Sequence, residues 1–572
     1  MYRVRFVILA CFAMVLLGVF ALAQEPSADD VASQTQAAPS QSELPYASSG
    51  SFDQVVDRIV EREHFFVAQM RHLHPLAETY IQNLKEEKET GLTPVSDQYF
   101  LGRLDMANGA DDHSFLGQPG FGHRVLAKLT NLYAMKFLPL GFAQMVMMDE
   151  DFQKKYYDLT FVRREFLGEV RCLVIDVQPK PKSSNGRFVG RIWVEDQDYN
   201  IVRFNGTYSS NSRYKYYLHF DSWRLNMRQG LWLPAYIYSE ESDMKYGTGH
   251  ALNFKAQTRL WAYDLQHLGS KEEFTQILVD SPQTIRDQTA AAQDASPVES
   301  ERLWQLQAEE NAVERLQKIG MLAPEGEVDK VLQTVVNNLI VTNNLDIQPE
   351  VHVRVLLTSP LESFTIGHTI VISRGLLDVL PDEASLATVL AHELGHIALG
   401  HRLDTKLAFN DRMFFPDEDT FERLDFARSA SDEDAADKKA LEFLANSPYK
   451  DKLANAGLFL KALQASAPQL KNLIRPHMGN GLAGGKTLRM SSLLNSAPQL
   501  EVRKTDQIAA LPLGSRVKLD PWSDHIELLK TKPVSLISAQ EKMPFQVTPF
   551  FPYLTRLSSG APEKVALTSP VN

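Results

Sequence analysis

Residues 388–401 constrain the rest of the chain most strongly, because they contain the pattern H-E-x-x-H at His392, Glu393 and His396. Residues four apart lie on the same face of a helix, so both imidazoles can reach one metal ion. Glu393 directly follows the first histidine and is placed to hold a metal-bound water. Apolar residues at helical spacing support a helix, and Pro381 with the acids after it is a typical helix start. The alternative is a buried helix whose histidines are only hydrogen-bonded.

A third metal ligand is expected downstream, since zinc in a hydrolase takes three protein ligands and keeps one position open. Residues 431–444 are predicted to form a helix that begins in a cluster of acids, and Glu433 and Asp437 form the pattern E-x-x-A-D within it. Glu433 is the predicted third ligand, and Asp437 is predicted to accept the second N–H of a ligating histidine. The rival third ligands are Asp432, Asp434 and Glu442. In a further alternative, these acids only complement the helix N-terminus.

The sequence resembles metallopeptidase family 48 over about residues 300–500. The resemblance rests on Gly375-Leu-Leu, the HELGH pentapeptide, His401 and the spacing of Glu433-x-x-Ala-Asp437. Members of this family are gluzincins, among them the CAAX prenyl proteases and soluble periplasmic quality-control peptidases. The resemblance implies a zinc endopeptidase with one zinc ion per chain and with Glu393 as general base.

Two departures from the family pattern concern the surroundings of the site. The family often has Asn-Ala-Phe before the Gly-Leu-Leu turn, where this chain has Glu362-Ser-Phe364. It also often has a His-Pro pair past the third ligand, where this chain has Pro476-His477. Hydrolysis benefits from a second donor to the carbonyl oxygen as its charge develops, and His477 or Arg489 is the predicted donor.

The first 23 residues are predicted to be a secretory signal peptide that is cleaved after Ala23. A basic start is followed by an apolar run from Phe6 to Phe20 and by a small-x-small site. The alternatives are an uncleaved anchor and a lipoprotein, although Cys11 lies too early for acylation. No other segment approaches the roughly 18 apolar residues needed to cross a bilayer. The protein is therefore expected to be periplasmic or secreted.

The composition is that of an ordinary globular protein, with 44% hydrophobic and 23% charged residues among 572. The net charge is −12, and losing Arg3 and Arg5 with the signal peptide would make it more negative still. Such a protein is not expected to bind nucleic acid through bulk charge. Cys172 would be the only cysteine left after cleavage, so it is expected to be a small buried residue without a disulfide.

Residues 24–50 are rich in Ser, Ala, Gln and Pro and are expected to form a disordered tether. Residues 51–280 are predicted to form the first folded unit, with one helix and an antiparallel meander. Its predicted strands are residues 171–178, 190–196, 199–206, 214–220, 231–238 and 252–263. The unit resembles the LolA-like lipoprotein-sorting half-barrel in its element order and in Trp193-Val-Glu-Asp. The resemblance implies a concave face for acyl chains or lipoproteins; the alternative is a sheet that only positions or shields the peptidase.

Residues 281–300 are the predicted linker, 301–503 the peptidase domain and 504–572 a C-terminal extension packed on that domain. The predicted fold class is α+β, with an antiparallel β half-barrel-like domain followed by a mainly helical zincin-type domain with a small sheet. Residues 365–373 are predicted to form a strand at the cleft edge, where an extended peptide can add as another strand. His368 on that strand is interpreted as structural.

Two functions from different classes fit the sequence. The first is an exported zinc endopeptidase that acts on proteins or peptides of the cell envelope, including in protein quality control. The second is a periplasmic carrier or chaperone for lipid or lipoprotein, in which the zinc module is structural or latent. The intact H-E-x-x-H pattern favours the first, because a structural zinc site has no need of Glu393.

Overall fold

The structure is a computed structural model. It describes residues 49–88, 91–105, 111–114, 145–146, 148, 152–181, 187–208, 219–228, 230–246, 250–265, 297–401, 426–474, 478–479, 481–482, 489–501, 507, 517–519, 526–528 and 545–557. Several predicted features lie outside these residues and stay predictions: the signal peptide with its cleavage site, Cys11, His477, and most of the tether and of the linker. Among the described helices, none combines the length and apolar character needed to cross a membrane.

A ten-stranded antiparallel sheet dominates the N-terminal part. Its strands are β1 (Leu76–Glu87), β2 (Gly91–Asp105), β3 (Asp111–Ser114), β4 (Tyr157–Leu167), β5 (Val170–Pro179), β6 (Phe188–Glu195), β7 (Ile201–Tyr208), β8 (Phe220–Arg228), β9 (Leu231–Tyr246) and β10 (His250–Trp261). Strands β4 to β10 follow one another across the sheet, and β1 pairs with β10 and with β2. Five of the six predicted strands fall on β5, β6, β7, β9 and β10. Most of the predicted strand at 214–220 lies outside the described residues, and its last residue, Phe220, is the first residue of β8.

One face of the sheet is covered by α1 (Ser49–Met70), the one helix predicted for this unit. The buried residues of α1 recur every three or four positions, as expected for an amphipathic helix: Val56, Ile59, Glu63, Phe66 and Met70. The Glu63 carboxylate accepts two hydrogen bonds from Arg224 of β8, each 2.7 Å long. The ion pair compensates the burial of both charges.

Cys172 lies buried on β5, as predicted. Burial raises the pKa of its thiol to about 12. The thiol therefore stays protonated at neutral pH, which fits a packing role rather than a reactive one.

The C-terminal part is mainly helical and contains a small sheet, which confirms the predicted α+β class. Its elements are α2 (Pro297–Lys318), α3 (Glu327–Thr342), β11 (His352–Leu356), β12 (Ser363–Ile366), β13 (Thr369–Ser373), α4 (Arg374–Val379), α5 (Glu383–Ala398), α6 (Ala430–Ala445), a 3-10 turn (Lys450–Lys452), α7 (Leu453–Ser466), α8 (Lys471–Ile474), α9 (Ser491–Ser496), β14 (Val517–Leu519) and β15 (Ile526–Leu528). Because α2 begins at Pro297, the last residues of the predicted linker are helical.

The small sheet differs from the prediction at residues 365–373, which form a hairpin rather than one strand. Gly367, with a φ of +57°, and His368 make the turn between β12 and β13. The strand order is β11-β13-β12, so the strand nearest α5 in sequence is the central one. Strand β12, which pairs antiparallel with β13, is therefore one edge of the sheet, and β11 is the other.

The C-terminal extension makes two separate contacts. The β14–β15 hairpin packs on the peptidase part, where the N–H of Val517 donates to Asp378 at 2.9 Å. Residues 545–557 lie against the large sheet as well. There Gln82 of β1 donates to the carbonyl of Phe545 at 2.7 Å and accepts from the N–H of Val547 at 2.9 Å. Residues 545–557 also touch the peptidase part, because the Phe545 ring lies edge-on to Phe459 of α7, with ring centroids 6.4 Å apart. The extension therefore packs on the peptidase part, as predicted, and in addition contacts the large sheet.

Candidate metal centre

Helix α5 carries the H-E-x-x-H pattern into the protein interior. Asp382 caps the helix, since its carboxylate accepts the N–H of Ser385 at 2.8 Å. The side chains of His392, Glu393 and His396 are buried, and each residue is only 1% exposed. Three ionisable side chains that are buried together need hydrogen-bond or ion-pair partners. The residues around them therefore determine the chemistry of the site.

Helix α6 passes unusually close to α5 at Gly395, the glycine of HELGH. A Cβ atom at Gly395 would lie 2.9 Å from the carbonyl oxygen of Ala436, which is too close for any larger residue without a shift of the helices. Ser429 caps α6 by accepting the N–H of Asp432 at 3.2 Å. This packing places Glu433, in the first turn of α6, opposite the two histidines.

His392, His396 and Glu433 form a compact group of three possible ligands. The two Nε2 atoms lie 3.1 Å apart, and the Glu433 carboxylate oxygens lie 3.2 Å from His392 Nε2 and 3.3 Å from His396 Nε2. Ligand atoms held tetrahedrally at about 2.0–2.1 Å from zinc are separated by roughly 3.3–3.4 Å. Among the residues that the structure describes, no other His, Cys, Asp or Glu joins this group. The three residues fit one zinc ion with a position left open.

The rival third ligands lie away from this group. Asp434 is exposed, and Glu442 forms an exposed ion pair with Lys439 at 2.7 Å. Asp432 lies 3.8 Å from Nε2 of His401, on the far side of the second histidine. Geometry therefore singles out Glu433 among the acids considered.

Asp437 and His401 each contact one of the two histidines through its Nδ1 atom. Asp437 lies 2.7 Å from Nδ1 of His392 and, because a carboxylate only accepts, this nitrogen carries the proton. The lone pair of His392 Nε2 is then directed at the ligand group. Nδ1 of His396 lies 2.9 Å from Nδ1 of His401, a contact that can orient the second imidazole in the same way.

Glu393 is held by hydroxyl groups from the edge strand β12. Ser363 Oγ donates to one carboxylate oxygen and Thr365 Oγ1 to the other, each at 2.7 Å. These two donors were not predicted. The signal available in the sequence was the presence of hydroxyl residues two positions apart, which places both on one face of a strand.

Arg489, one of the two predicted second donors, also reaches the site. Its Nη1 lies 3.3 Å from Glu393, and its Nε lies 2.9 Å from Glu433. The next residue, Met490, donates its backbone N–H to Asp437 at 2.5 Å. Arg489 therefore adds a buried positive charge beside two carboxylates, while His477 lies outside the described residues.

The surroundings shift the pKa values of the site residues in both directions. Burial works to raise the pKa of Glu393, but Arg489 and the two histidines outweigh it and leave the pKa below its ordinary value. Burial also works to raise the pKa of Glu433, but hydrogen bonds to both histidines outweigh it and hold the pKa far below its usual range. Both carboxyl groups are therefore ionised at neutral pH.

The two histidines differ from each other. Burial lowers the pKa of His396. Burial also acts against protonation of His392, but hydrogen bonds to Asp437 and Glu433 outweigh it and raise the pKa. The difference arises because His392 is hydrogen-bonded to two carboxylates, Asp437 and Glu433, whereas His396 is hydrogen-bonded to Glu433 and to no second carboxylate among the described residues.

The outer edge of β12 is partly covered by the chain itself. Arg428 donates to the carbonyl of Thr365 at 3.0 Å. Glu362, just before β12, forms an antiparallel bridge with Gly481. A peptide that adds to β12 as a further strand must therefore replace or extend these contacts.

The site combines two histidines on α5, a carboxylate from α6 and a buried glutamate between the histidines. This combination defines the site of a metallopeptidase. The model of Peptidase family M48 matches residues 327–415, a stretch that includes α3, the small sheet and α5. This match confirms the resemblance to family 48 for that part of the chain. Glu433 and Asp437 lie beyond the matched residues. A search of curated proteins gave no match.

Several solved structures are similar at low sequence identity. A DUF1329 family protein from Desulfovibrio piger is 9% identical, covers 38% of this chain and 94% of its own, and has a TM-score of 0.19. A putative outer membrane lipoprotein-sorting protein domain from Vibrio parahaemolyticus is 11% identical. The match covers 38% of this chain and 93% of that domain, with a TM-score of 0.16. A chain of the MucA/MucB complex of Pseudomonas aeruginosa is 9% identical. The match covers 36% of this chain and 94% of that chain, with a TM-score of 0.14. The second name corresponds to the predicted lipoprotein-sorting resemblance, but with TM-scores this low nothing about binding follows from it.

Proposed function

We propose that this protein is an exported zinc endopeptidase that hydrolyses peptide bonds of envelope proteins and serves their quality control. The observation that carries the proposal is the convergence of His392, His396 and Glu433 with a buried glutamate, Glu393, beside them. A zinc site that only stabilises a fold uses closed ligation and needs no such glutamate. The match to Peptidase family M48 supports the same class of reaction.

The chain's own residues supply the other parts of a hydrolytic site. Zinc bound by the three ligands would bring the pKa of its water close to neutrality. Glu393, ionised and fixed by Ser363 and Thr365, is the base that takes the proton from the attacking water and later passes it to the leaving amine. Arg489 lies beside Glu393 and offers positive charge near the carbonyl oxygen as it becomes negative. His477 is kept as the second candidate for this donor.

The substrate in this proposal is an extended segment of a protein or peptide. Strand β12 is an edge strand, and its residues Ser363 and Thr365 are the ones that hold Glu393. A peptide added alongside β12 gains main-chain hydrogen bonds without regard to its sequence. Such recognition suits unfolded or unassembled envelope proteins, which expose extended segments. Acyl chains or lipoproteins at the N-terminal sheet are the further partners proposed.

Export is the part of the proposal that rests on sequence alone. The basic start, the apolar run and the small residues before Gln24 support a cleaved signal peptide. Expression of the full chain in a bacterium should yield periplasmic protein whose N-terminal residue is Gln24, as determined by mass spectrometry. An intact N-terminus in the membrane fraction would instead support the uncleaved anchor.

The activity is tested with three forms of residues 24–572: the wild type, Glu393→Gln and Glu442→Gln. Glu442 is the matched control, since it is an acid on the neighbouring helix α6 that is paired with Lys439 away from the site. We expect all three to bind about one zinc ion, and only Glu393→Gln to lose cleavage of casein, an unfolded substrate. Full activity of Glu393→Gln would contradict the proposal.

The carrier hypothesis predicts a different result from the same preparations. Zinc in all three forms with cleavage in none, together with lipid that co-purifies with the protein, would support a structural or latent zinc module. Lipid content is measured by mass spectrometry of an organic extract. A protein that neither binds zinc nor cleaves casein would contradict both functions.

A further inference from the structure

Three side chains of the N-terminal sheet contact Ser359, in the loop between β11 and β12, and a fourth contacts one of these three. The Glu78 carboxylate of β1 accepts hydrogen bonds from the backbone N–H of Ser359 at 2.5 Å and from its Oγ at 3.0 Å. Arg259 of β10 pairs with Glu78 and donates to Ser359 Oγ at 2.5 Å. Tyr99 donates to Glu78 at 2.9 Å, and Gln257 donates to Ser359 Oγ at 3.4 Å. One loop residue is thus held by β1 and β10, and Tyr99 of β2 supports the carboxylate that holds it.

This contact is buried and charged, so its donors and acceptors must be placed accurately. Glu78 is 1% exposed, Ser359 is 3% exposed and Arg259 is 5% exposed. A buried carboxylate needs its hydrogen-bond donors in place, because each missing donor leaves charge without compensation. The network therefore fixes where the loop can lie rather than merely attracting it.

The loop held in this way leads directly to the predicted general base. Gly375 packs against it so closely that a Cβ atom there would lie 1.8 Å from the carbonyl oxygen of Ser359. Ser363, four positions after Ser359, begins β12 and donates to Glu393 at 2.7 Å. A short run of buried chain thus connects the N-terminal sheet to Glu393.

A second carboxylate of the same sheet holds the neighbouring part of the peptidase. Asp97 of β2 accepts the backbone N–H groups of Asn472 at 3.0 Å and Leu473 at 2.8 Å. The carbonyl of Leu473 in turn accepts the N–H of Leu361 at 2.7 Å. Leu361 lies between Ser359 and Ser363, so both contacts act on the same stretch of chain.

We propose that Glu78 and Asp97 are positioning residues of the peptidase site: through residues 358–362 they set the place of edge strand β12 and hence the docking of an extended substrate beside Glu393. This inference rests on the proposed peptidase function. Neither carboxylate touches the metal ligands, which lie on α5 and α6. Loss of either one should therefore disturb substrate docking while leaving zinc binding intact.

The sheet itself offers a matched control. Glu63 pairs with Arg224 on the face covered by α1, and both side chains are 1% exposed. Glu63→Gln and Glu78→Gln thus each break a buried ion pair with an arginine of the same sheet, so their general cost to stability is comparable. Only Glu78 contacts the loop before β12.

The experiment compares the wild type, Glu78→Gln, Asp97→Asn and Glu63→Gln in the chain of residues 24–572. We measure zinc content, KM and kcat for a fluorogenic peptide, and amide hydrogen exchange of residues 359–366. We expect Glu78→Gln and Asp97→Asn to raise KM by about tenfold and to speed exchange in this segment, with unchanged zinc content. Glu63→Gln should behave like the wild type in all three measurements. Should Glu78→Gln not fold, Ser359→Ala takes its place.

Two results would overturn the inference. One is a Glu63→Gln variant with the same rise in KM and the same faster exchange, since the effect would then be general loosening. The other is unchanged KM and exchange in Glu78→Gln and Asp97→Asn. If the wild type does not hydrolyse the peptide, the proposed function fails, and the exchange comparison alone decides whether the sheet positions β12.

Discussion

At the residue scale, Asp437 shows how a ligand is fixed by a residue that does not bind the metal. One of its oxygens lies 2.7 Å from Nδ1 of His392, and the other accepts the backbone N–H of Met490 at 2.5 Å. The carboxylate therefore connects α5 to the turn before α9. Groups of this kind orient the imidazole and increase its basicity toward a metal.

We expect Asp437→Asn to weaken zinc affinity by about 10–100-fold, because the amide carries no negative charge to support the imidazole of His392. The measurement is competition with a chelator of known affinity. Asp434→Asn is the control, since Asp434 lies on the same helix but is exposed. Equal affinities for both variants would show that Asp437 has no part in metal binding.

The site could be predicted from the sequence where its residues share one helix or one short pattern. His392, Glu393 and His396 follow helical spacing, and Glu433 and Asp437 follow the E-x-x-A-D pattern. The roles of Ser363 and Thr365 could not be predicted, because helical or strand spacing says nothing about which strand faces Glu393. The double contact of Arg489 with Glu393 and Glu433 depends in the same way on tertiary packing.

At the scale of elements, strand β1 was missed because polar residues occupy some of its buried positions. Strand β1 places Glu78 and Gln82 inside, and both residues are at most 1% exposed. Their partners, such as Ser359 and Phe545, are hundreds of residues away. Alternation of apolar and polar residues identifies a strand only when the buried face is apolar, so β1 gave no such signal.

The segment 545–557 is anchored at its far end by a buried carboxylate. Glu195 accepts the backbone N–H groups of Gln197 and Asn200 at 2.9 and 3.0 Å and pairs with Arg556 at 2.8 Å. Burial works to raise the pKa of Glu195, but the hydrogen bonds from Asn200 and Gln197 outweigh it and bring the pKa below its ordinary value of 4.5.

This lowered pKa predicts how stability depends on pH. A carboxyl group whose pKa is lower in the folded state contributes stability above its unfolded pKa and loses it as the pH falls through the folded value. We therefore expect Glu195→Gln to unfold at lower denaturant concentration than the wild type at pH 7, with a difference that shrinks below about pH 4.5. A difference that grows toward acidic pH would contradict the assignment.

At the scale of the whole molecule, the described residues from Asp53 onward form one compact unit. Trp261 of the N-terminal sheet donates its indole N–H to the carbonyl of Gly320 at 2.8 Å, next to the peptidase part. A Cβ atom at Gly320 would lie 2.4 Å from the Cβ of Ala262. The predicted boundaries at 280 and 301 came from composition, which cannot report contacts of this kind.

We expect the zinc-loaded protein to unfold in one calorimetric transition, because the two parts share buried contacts around Ser359, Asn472 and Trp261. Two domains joined only by a linker would give two transitions. The control is Glu78→Gln, which should lower the transition temperature without splitting the transition. Two well-separated transitions in the wild type would contradict the shared core.

The central claim is that His392, His396 and Glu433 hold a zinc ion with an open position beside Glu393. The most direct test is zinc content combined with X-ray absorption at the zinc edge, for the wild type and for His396→Ala. We predict about one zinc per chain, ligated by nitrogen and oxygen at about 2.0–2.1 Å, with two imidazoles and a non-protein oxygen in the wild type. We also expect His396→Ala to lose most of the metal. Absence of zinc from the wild type, or a closed site with four protein ligands, would show that these residues do not form an open zinc site.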